Sequence, residues 1–74
     1  MIRFRVKELI ADKSFRDGRR ITVVEVAEES GVSRRALSAM ANQRGYSTST
    51  DTLDKLCKYF GCSLGDLAEF VADA

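Results

Sequence analysis

The sequence predicts an all-α protein, a compact bundle of five helices that follows a short extended N-terminal segment. Three observations favour this fold: apolar residues recur at helical spacing in five segments, glycines follow several of these segments, and proline is absent. The 74-residue length allows a single domain, placed here over residues 1–74, because typical domains contain about 50 to 250 residues.

The N-terminal region changes its periodicity within a few residues. Ile2 and Phe4 alternate with arginines, and this period of two is typical of an extended chain. Helical spacing begins at Val6 and continues to about Lys13. An Asp-Gly pair within residues 14–20 is a turn signal, so we expect a loop there.

A second helix is predicted to begin at Thr22. Glu25 follows three residues later, and this capping-box pattern satisfies two backbone amides at a helix start. Gly31 is expected to end the helix because glycine tolerates the left-handed conformation of a C-terminal cap. The predicted buried stripe of this helix consists of Val23, Val26 and Ala27.

Three further helices are predicted in the C-terminal half. Ser33 caps the third helix, and Ser49 or Thr50 caps the fourth, which ends at Gly61. Ser63 starts the fifth. The expected core residues of the third helix are Ala36, Leu37, Met40 and Ala41, those of the fourth are Leu53, Leu56, Cys57 and Phe60, and those of the fifth are Leu64, Leu67, Phe70 and Val71.

The charge of the chain is unevenly distributed. Residues 1–45 contain ten basic and six acidic side chains, a net charge of +4, whereas residues 46–74 contain two and five, a net charge of −3. One part of the molecule is therefore suited to face a polyanion, although the net charge of the whole chain is only +1.

The residue inventory argues against several classes of protein. Histidine is absent and the two cysteines do not form a Cys-x-x-Cys pair, so we expect no metal, no other cofactor and no catalytic activity. No apolar run approaches the about 20 residues that span a bilayer. We expect a soluble cytoplasmic protein, with no membrane association and no small-molecule ligand.

Residues 22–43 fit the spacing of a helix-turn-helix unit. Ala27 stands where two helices touch, Gly31 lies four residues later in the turn, and the apolar residues that lock the second helix follow. Those residues are Val32, Leu37 and Met40. The alternative is an ordinary helical hairpin within a bundle.

The segment Val-Ala-Glu-Glu-Ser-Gly-Val-Ser-Arg-Arg-Ala-Leu-Ser at residues 26–38, with residues 51–57, resembles the phage-repressor and Cro-like family, often called XRE. The resemblance covers nearly the whole chain. It implies a lambda-repressor-like fold and a repressor-like transcriptional regulator that binds double-stranded DNA as a homodimer. Two features depart from the family pattern: Val23 replaces a glutamine that holds a phosphate in many relatives, and residues 15–20 form a longer link.

Candidate DNA contacts follow from the predicted third helix, residues 34–42. Side chains on its first two turns reach base edges in the major groove, where guanine offers two acceptors to one guanidinium. The candidate base-reading residues are Arg34, Arg35, Ser38 and Asn42. The candidate phosphate contacts are Arg19, Arg20, Thr22, Ser33, Arg44, Tyr46, Ser47 and Thr48. For Arg19 and Arg20, a solvated surface pair is an equally good interpretation.

Apolar residues near the two ends of the chain are candidates for a two-fold interface. They are Ile2, Phe4, Leu67, Phe70 and Val71. The alternative is that these residues complete the core of the monomer. Cys57 is expected to act as a small buried hydrophobe rather than as a redox switch.

The main alternative function is a protein-interaction module that keeps the same fold, such as an antitoxin or an adaptor. The modest net charge and Val23 favour it. Against it stand two adjacent arginines on the third helix and the lack of acidic residues between positions 30 and 50.

Overall fold

The structure, a computed structural model, describes residues 1–72 of the chain. It is mostly helical, as predicted, and a small antiparallel sheet joins the two ends. In chain order, the elements are β1 (Ile2–Phe4), α1 (Val6–Asp17), α2 (Val23–Ser30), α3 (Arg34–Asn42), α4 (Thr50–Phe60), α5 (Leu64–Leu67) and β2 (Ala68–Phe70).

Helix α1 is one turn longer than predicted. It continues through residues 14–17, and the Asp-Gly pair forms its C-terminal end, with Gly18 in the left-handed conformation at φ 67°. Lys13 and Asp17 form an ion pair at 3.2 Å across the last turn. The expected loop is therefore limited to the residues after Gly18.

Helices α2, α3 and α4 begin at the hydroxyl caps that the sequence predicts. The side chains of Thr22, Ser33 and Ser49 each accept a hydrogen bond from the backbone amide three residues later, at 3.1–3.2 Å. Gly31 and Gly61 end α2 and α4 in the left-handed conformation, at φ 82° and 64°. These caps fix both ends of α2 and α4 and the start of α3.

The C-terminal segment differs from its prediction. The fifth helix ends at Leu67, and the chain then pairs with β1 in the register Ile2↔Phe70, Arg3↔Glu69 and Phe4↔Ala68. An ion pair at 2.6 Å joins Arg3 to Glu69 across the two strands. Pairing with a strand 66 residues away therefore overrides the local helical spacing.

The core lies where the helices meet beneath the sheet. Its buried residues are Val6, Ile21, Val26, Val32, Leu37, Met40, Leu56, Phe60 and Leu67. Three residues expected in the core are exposed instead: Val23 is 39% exposed, Leu64 55% and Phe70 73%. Val23 occupies the first position of α2, and Phe70 lies on the sheet rather than on a helix.

Candidate nucleic-acid interface

Helix α3 buries one side and exposes the other. Leu37 and Met40 are buried in the core, and Ser33 caps the helix through the amide of Ala36 at 3.1 Å. The opposite side faces solvent along the helix. It carries the four predicted base-reading residues Arg34, Arg35, Ser38 and Asn42, all of them exposed. The helix is thus anchored on its apolar side and open on its polar side.

The two arginines of α3 carry charges that no acidic side chain within residues 1–72 neutralises. Six of the twelve Lys and Arg side chains form ion pairs with Asp or Glu within residues 1–72, and the other six do not. Arg34 and Arg35 belong to the second group, together with Arg44 just beyond the helix. The charge on this side is therefore available to an external anion.

Asn42 is partly engaged within its own helix. Its Nδ2 donates to the backbone oxygen of Ser38 at 2.9 Å and approaches the Ser38 hydroxyl at 3.5 Å. This contact fixes the amide plane against the last turn. Within residues 1–72, the amide oxygen and the second N–H hydrogen of Asn42 have no hydrogen-bond partner and can bind a ligand.

Two of the predicted hydroxyl contacts, Thr22 and Ser33, lie at helix N-termini. Thr22 Oγ1 accepts from the amide of Glu25 at 3.2 Å, and Ser33 Oγ accepts from the amide of Ala36 at 3.1 Å. A hydroxyl that accepts one hydrogen bond keeps its own hydrogen for donation. Both groups therefore stay competent to donate to a phosphate oxygen beside the partial positive charge of the helix end.

The two arginines before α2 differ from each other. The guanidinium of Arg19 donates twice to the carboxylate of Glu25, at 2.7 and 2.6 Å, whereas Arg20 forms no ion pair with residues 1–72. The second half of the predicted capping box is absent because the Glu25 carboxylate binds Arg19 instead of the Thr22 amide. Of the two arginines, Arg20 is thus the more available to bind an external anion.

The predicted contact residues that follow α3 differ in their exposure to solvent. Arg44 and Ser47 are exposed, whereas Tyr46 and Thr48 are half-buried. The Tyr46 side chain packs against the core, so it offers only part of its surface to a ligand. Gly45, at φ 70°, turns the chain immediately after Arg44.

The helix-turn-helix geometry agrees with comparisons to known proteins. The sequence pattern of the Cro/C1-type HTH DNA-binding domain, where HTH denotes helix-turn-helix, matches residues 5–73. The chain belongs to the Cro/C1-type family. It is 31% identical over 55 residues to "Uncharacterized HTH-type transcriptional regulator YozG" of Bacillus subtilis (strain 168). That similarity covers 74% of this chain and 66% of the relative, somewhat less than two thirds of its length. No solved structure matches the chain.

In this Cro/C1-type domain the five residues expected at a two-fold interface differ in their exposure. Ile2 and Phe70 are cross-strand partners and are 47% and 73% exposed. Phe4 and Val71 are half-buried. Leu67 is 0% exposed and belongs to the core, so it is excluded from the expected interface.

The two cysteines lie at the end of α4, far along the chain from α3. Both are half-buried free thiols, and the amide of Cys62 donates to the backbone oxygen of Cys57 at 3.1 Å. Burial, and secondly the neighbouring Cys57, raises the pKa of the Cys62 thiol. Cys57 packs against the core as predicted.

No helix in residues 1–72 combines the length and apolar character that crossing a lipid bilayer requires.

Proposed function

We propose that this Cro/C1-type domain is a sequence-specific transcriptional regulator that inserts α3 into the major groove of double-stranded DNA. The observation that carries the proposal is the exposed side of α3, where Arg34 and Arg35 stand without an acidic partner among residues 1–72. An α-helix fits the major groove, and guanine presents two acceptors there to a guanidinium.

Base recognition is assigned to the side chains that project from this side. Arg34 or Arg35 donates two hydrogen bonds to a guanine, and Ser38 adds a contact one turn later. Asn42 uses its free amide oxygen and remaining N–H hydrogen, either on a base edge or on a phosphate. The arginines occupy the first turn, which enters the groove most deeply in helix-turn-helix proteins.

Backbone contacts are assigned to groups on both sides of α3. The amides and hydroxyls at Thr22 and Ser33 face one stretch of phosphates, and Arg44 and Ser47 face another. Arg20 adds charge near the first stretch, while Tyr46, Thr48 and Arg19 contribute less because they are partly buried or paired. These contacts give affinity that is independent of sequence.

A homodimer completes the proposed assembly. The exposed cross-strand pair Ile2 and Phe70 supplies the apolar centre of a two-fold interface, with the edges of Phe4 and Val71 around it. Two copies of α3 would then lie about 34 Å apart and read half-sites about 10 base pairs apart. Sedimentation at high protein concentration tests this, because a species of 8.2 kDa alone would reject self-association.

We propose that the protein acts as a repressor-like regulator and that it is located in the cytoplasm. The name of the Bacillus subtilis relative describes an HTH-type transcriptional regulator, and the two sequences are 31% identical over 55 aligned residues. A small domain that occupies a site on DNA excludes other proteins from it. Repression by occupancy is therefore the simplest mode of action.

A salt titration tests the proposal against the protein-interaction alternative. The affinity for a random duplex is expected to fall steeply with salt, with a slope of about −0.9 in log K against log [salt] for each phosphate contacted. Replacing Arg34 and Arg35 together by Gln reduces affinity, whereas the matched change at Lys55 and Lys58 on α4, where both lysines are ion-paired, leaves it nearly unchanged. A wild-type protein without measurable DNA affinity would favour the interaction module.

A further inference from the structure

Lys7 belongs to α1 but lies beside the exposed side of α3. Its exposed side chain lines a shallow groove between the two helices together with Arg34, Ser38 and Asn42. It also lines the adjoining groove beneath β1, which contains Asn42 and Arg44. Lys7 thus lies beside both the exposed side of α3 and the segment that follows this helix.

Lys7 differs from the basic residues before it, which form ion pairs with Glu8 or Glu69. Arg3 pairs with Glu8 at 2.8 Å and with Glu69 at 2.6 Å, and Arg5 lies 3.8 Å from Glu8. Glu8 lines the same groove as Lys7, but its carboxylate is already bound to Arg3. Lys7 itself has no ion pair within the described part of the chain.

We propose that Lys7 contacts a backbone phosphate of the bound duplex, on the same side of α3 as Arg44, and so extends the DNA-binding surface onto α1. The inference rests on the proposed function. Its basis is that Lys7 lines two adjoining grooves together with three other cations that have no acidic partner among residues 1–72, namely Arg34, Arg35 and Arg44.

A phosphate is the better ligand for this lysine than a base edge. Lys7 lies beside Asn42, at the C-terminal end of α3, whereas bases are contacted from the N-terminal turns. Its ammonium group is a compact charge on a flexible stem, which suits a phosphate oxygen and gives little directional selectivity. The contact is therefore expected to raise affinity equally for all duplexes.

The experiment compares Lys7→Gln with Lys58→Gln, which removes the same charge from an exposed site on α4. Affinities for a random duplex and for a duplex selected by the wild type are measured across a range of salt concentrations. For Lys7→Gln the slope of log K against log [salt] is expected to become shallower by about 0.9 on both duplexes, the value for one phosphate. Lys58→Gln is expected to keep the wild-type slope, and Lys7→Arg to restore it.

The outcomes separate the inference from the proposed function. Wild-type protein that binds neither duplex would overturn the proposed function itself. Wild-type binding with a Lys7→Gln slope equal to that of Lys58→Gln would overturn the inference and leave the function intact. A loss confined to the selected duplex would also overturn it, because Lys7 would then contact a base. Circular dichroism confirms that each variant retains its helices.

Discussion

The guanidinium of Arg19 binds the carboxylate of Glu25 through two hydrogen bonds, 2.7 and 2.6 Å long, that span the start of α2. The first effect of this contact is electrostatic: hydrogen bonding from Arg19 lowers the pKa of the Glu25 carboxyl below its usual value. The ion pair thereby engages the guanidinium of Arg19 within the protein.

Glu25→Gln is expected to release Arg19 for a phosphate contact. The slope of log K against log [salt] on a random duplex should then become steeper by about 0.9, as for one additional phosphate. Glu28→Gln is the matched control because Glu28 is exposed on the same helix and forms no ion pair in residues 1–72. Equal slopes for the two variants would assign Arg19 to a purely structural pair.

The turn between α2 and α3 depends on the backbone of Gly31. Its φ of 82° is left-handed, and a Cβ at this position would meet no atom within 4 Å. Gly31→Ala is therefore expected to lower the free energy of unfolding by about 1–2 kcal/mol through backbone strain alone. Urea denaturation followed by circular dichroism measures this loss.

Gly65→Ala is the control for that measurement. Gly65 lies in α5 without a positive φ, and an added Cβ would lie 4.0 Å from the Ser63 hydroxyl, an ordinary contact. Stability is expected to stay unchanged or to rise by up to about 1 kcal/mol, because alanine is the better helix former. Equal losses for the two variants would contradict the backbone explanation.

Leu37 anchors α3 from beneath. Its side chain is fully buried, so Leu37→Ala is expected to cost about 2–5 kcal/mol. A chain of 74 residues has a total free energy of unfolding of only about 4–11 kcal/mol, so this substitution removes much of it. Ser38→Ala, on the exposed side, should change the stability by less than about 0.5 kcal/mol. Urea curves that coincide for the two variants would show that Leu37 does not anchor the helix.

Tyr59 provides a spectroscopic test of the contact between α4 and α2. Burial, and secondly its 3.2 Å hydrogen bond to Glu29, raises the pKa of Tyr59 to about 12. Tyr46→Phe leaves Tyr59 as the only tyrosine, so ultraviolet absorbance reports its ionisation alone. Tyr59 of the folded protein should titrate near pH 12, and a midpoint at the ordinary tyrosine value of 10.0 would contradict the packing.

The same shift makes stability depend on pH. Because the folded-state pKa of Tyr59 lies above the unfolded value, the unfolded chain loses its proton first as the pH rises. The stabilisation is thus fully present below about pH 10 and is lost progressively up to about pH 12. Glu29→Gln is expected to lower the midpoint of Tyr59 partway, since burial remains.

Local signals in the sequence predicted much of the fold. The hydroxyl caps at Thr22 and Ser33 and the glycine at position 31 act through residues three or four positions away, so the chain itself displays them. The strand Ala68–Phe70 was missed because its partner lies at the opposite end of the chain. The buried Ile21 was missed as well, since it lies between two helices and belongs to no periodic stripe.

The candidate site shows the same limit. Helical spacing predicted that Arg34 and Arg35 share the exposed side of α3, because the directions of both side chains depend only on their positions along one helix. The pairing of Arg19 with Glu25 and the position of Lys7 beside Asn42 depend on how separate elements meet. Periodicity within one segment carries no information about such contacts.

Selection of duplexes from a random pool, with wild type and Arg35→Ala in parallel, tests most directly whether α3 reads DNA. The wild type should enrich a recurring motif, with half-sites about 10 base pairs apart if it binds as a dimer. Arg35→Ala should lose the preference at one guanine, with specific affinity weakened by about 1–3 kcal/mol and non-specific affinity nearly unchanged. A wild-type pool without any enriched motif would contradict the account, as would an identical motif for a variant that lacks both Arg34 and Arg35.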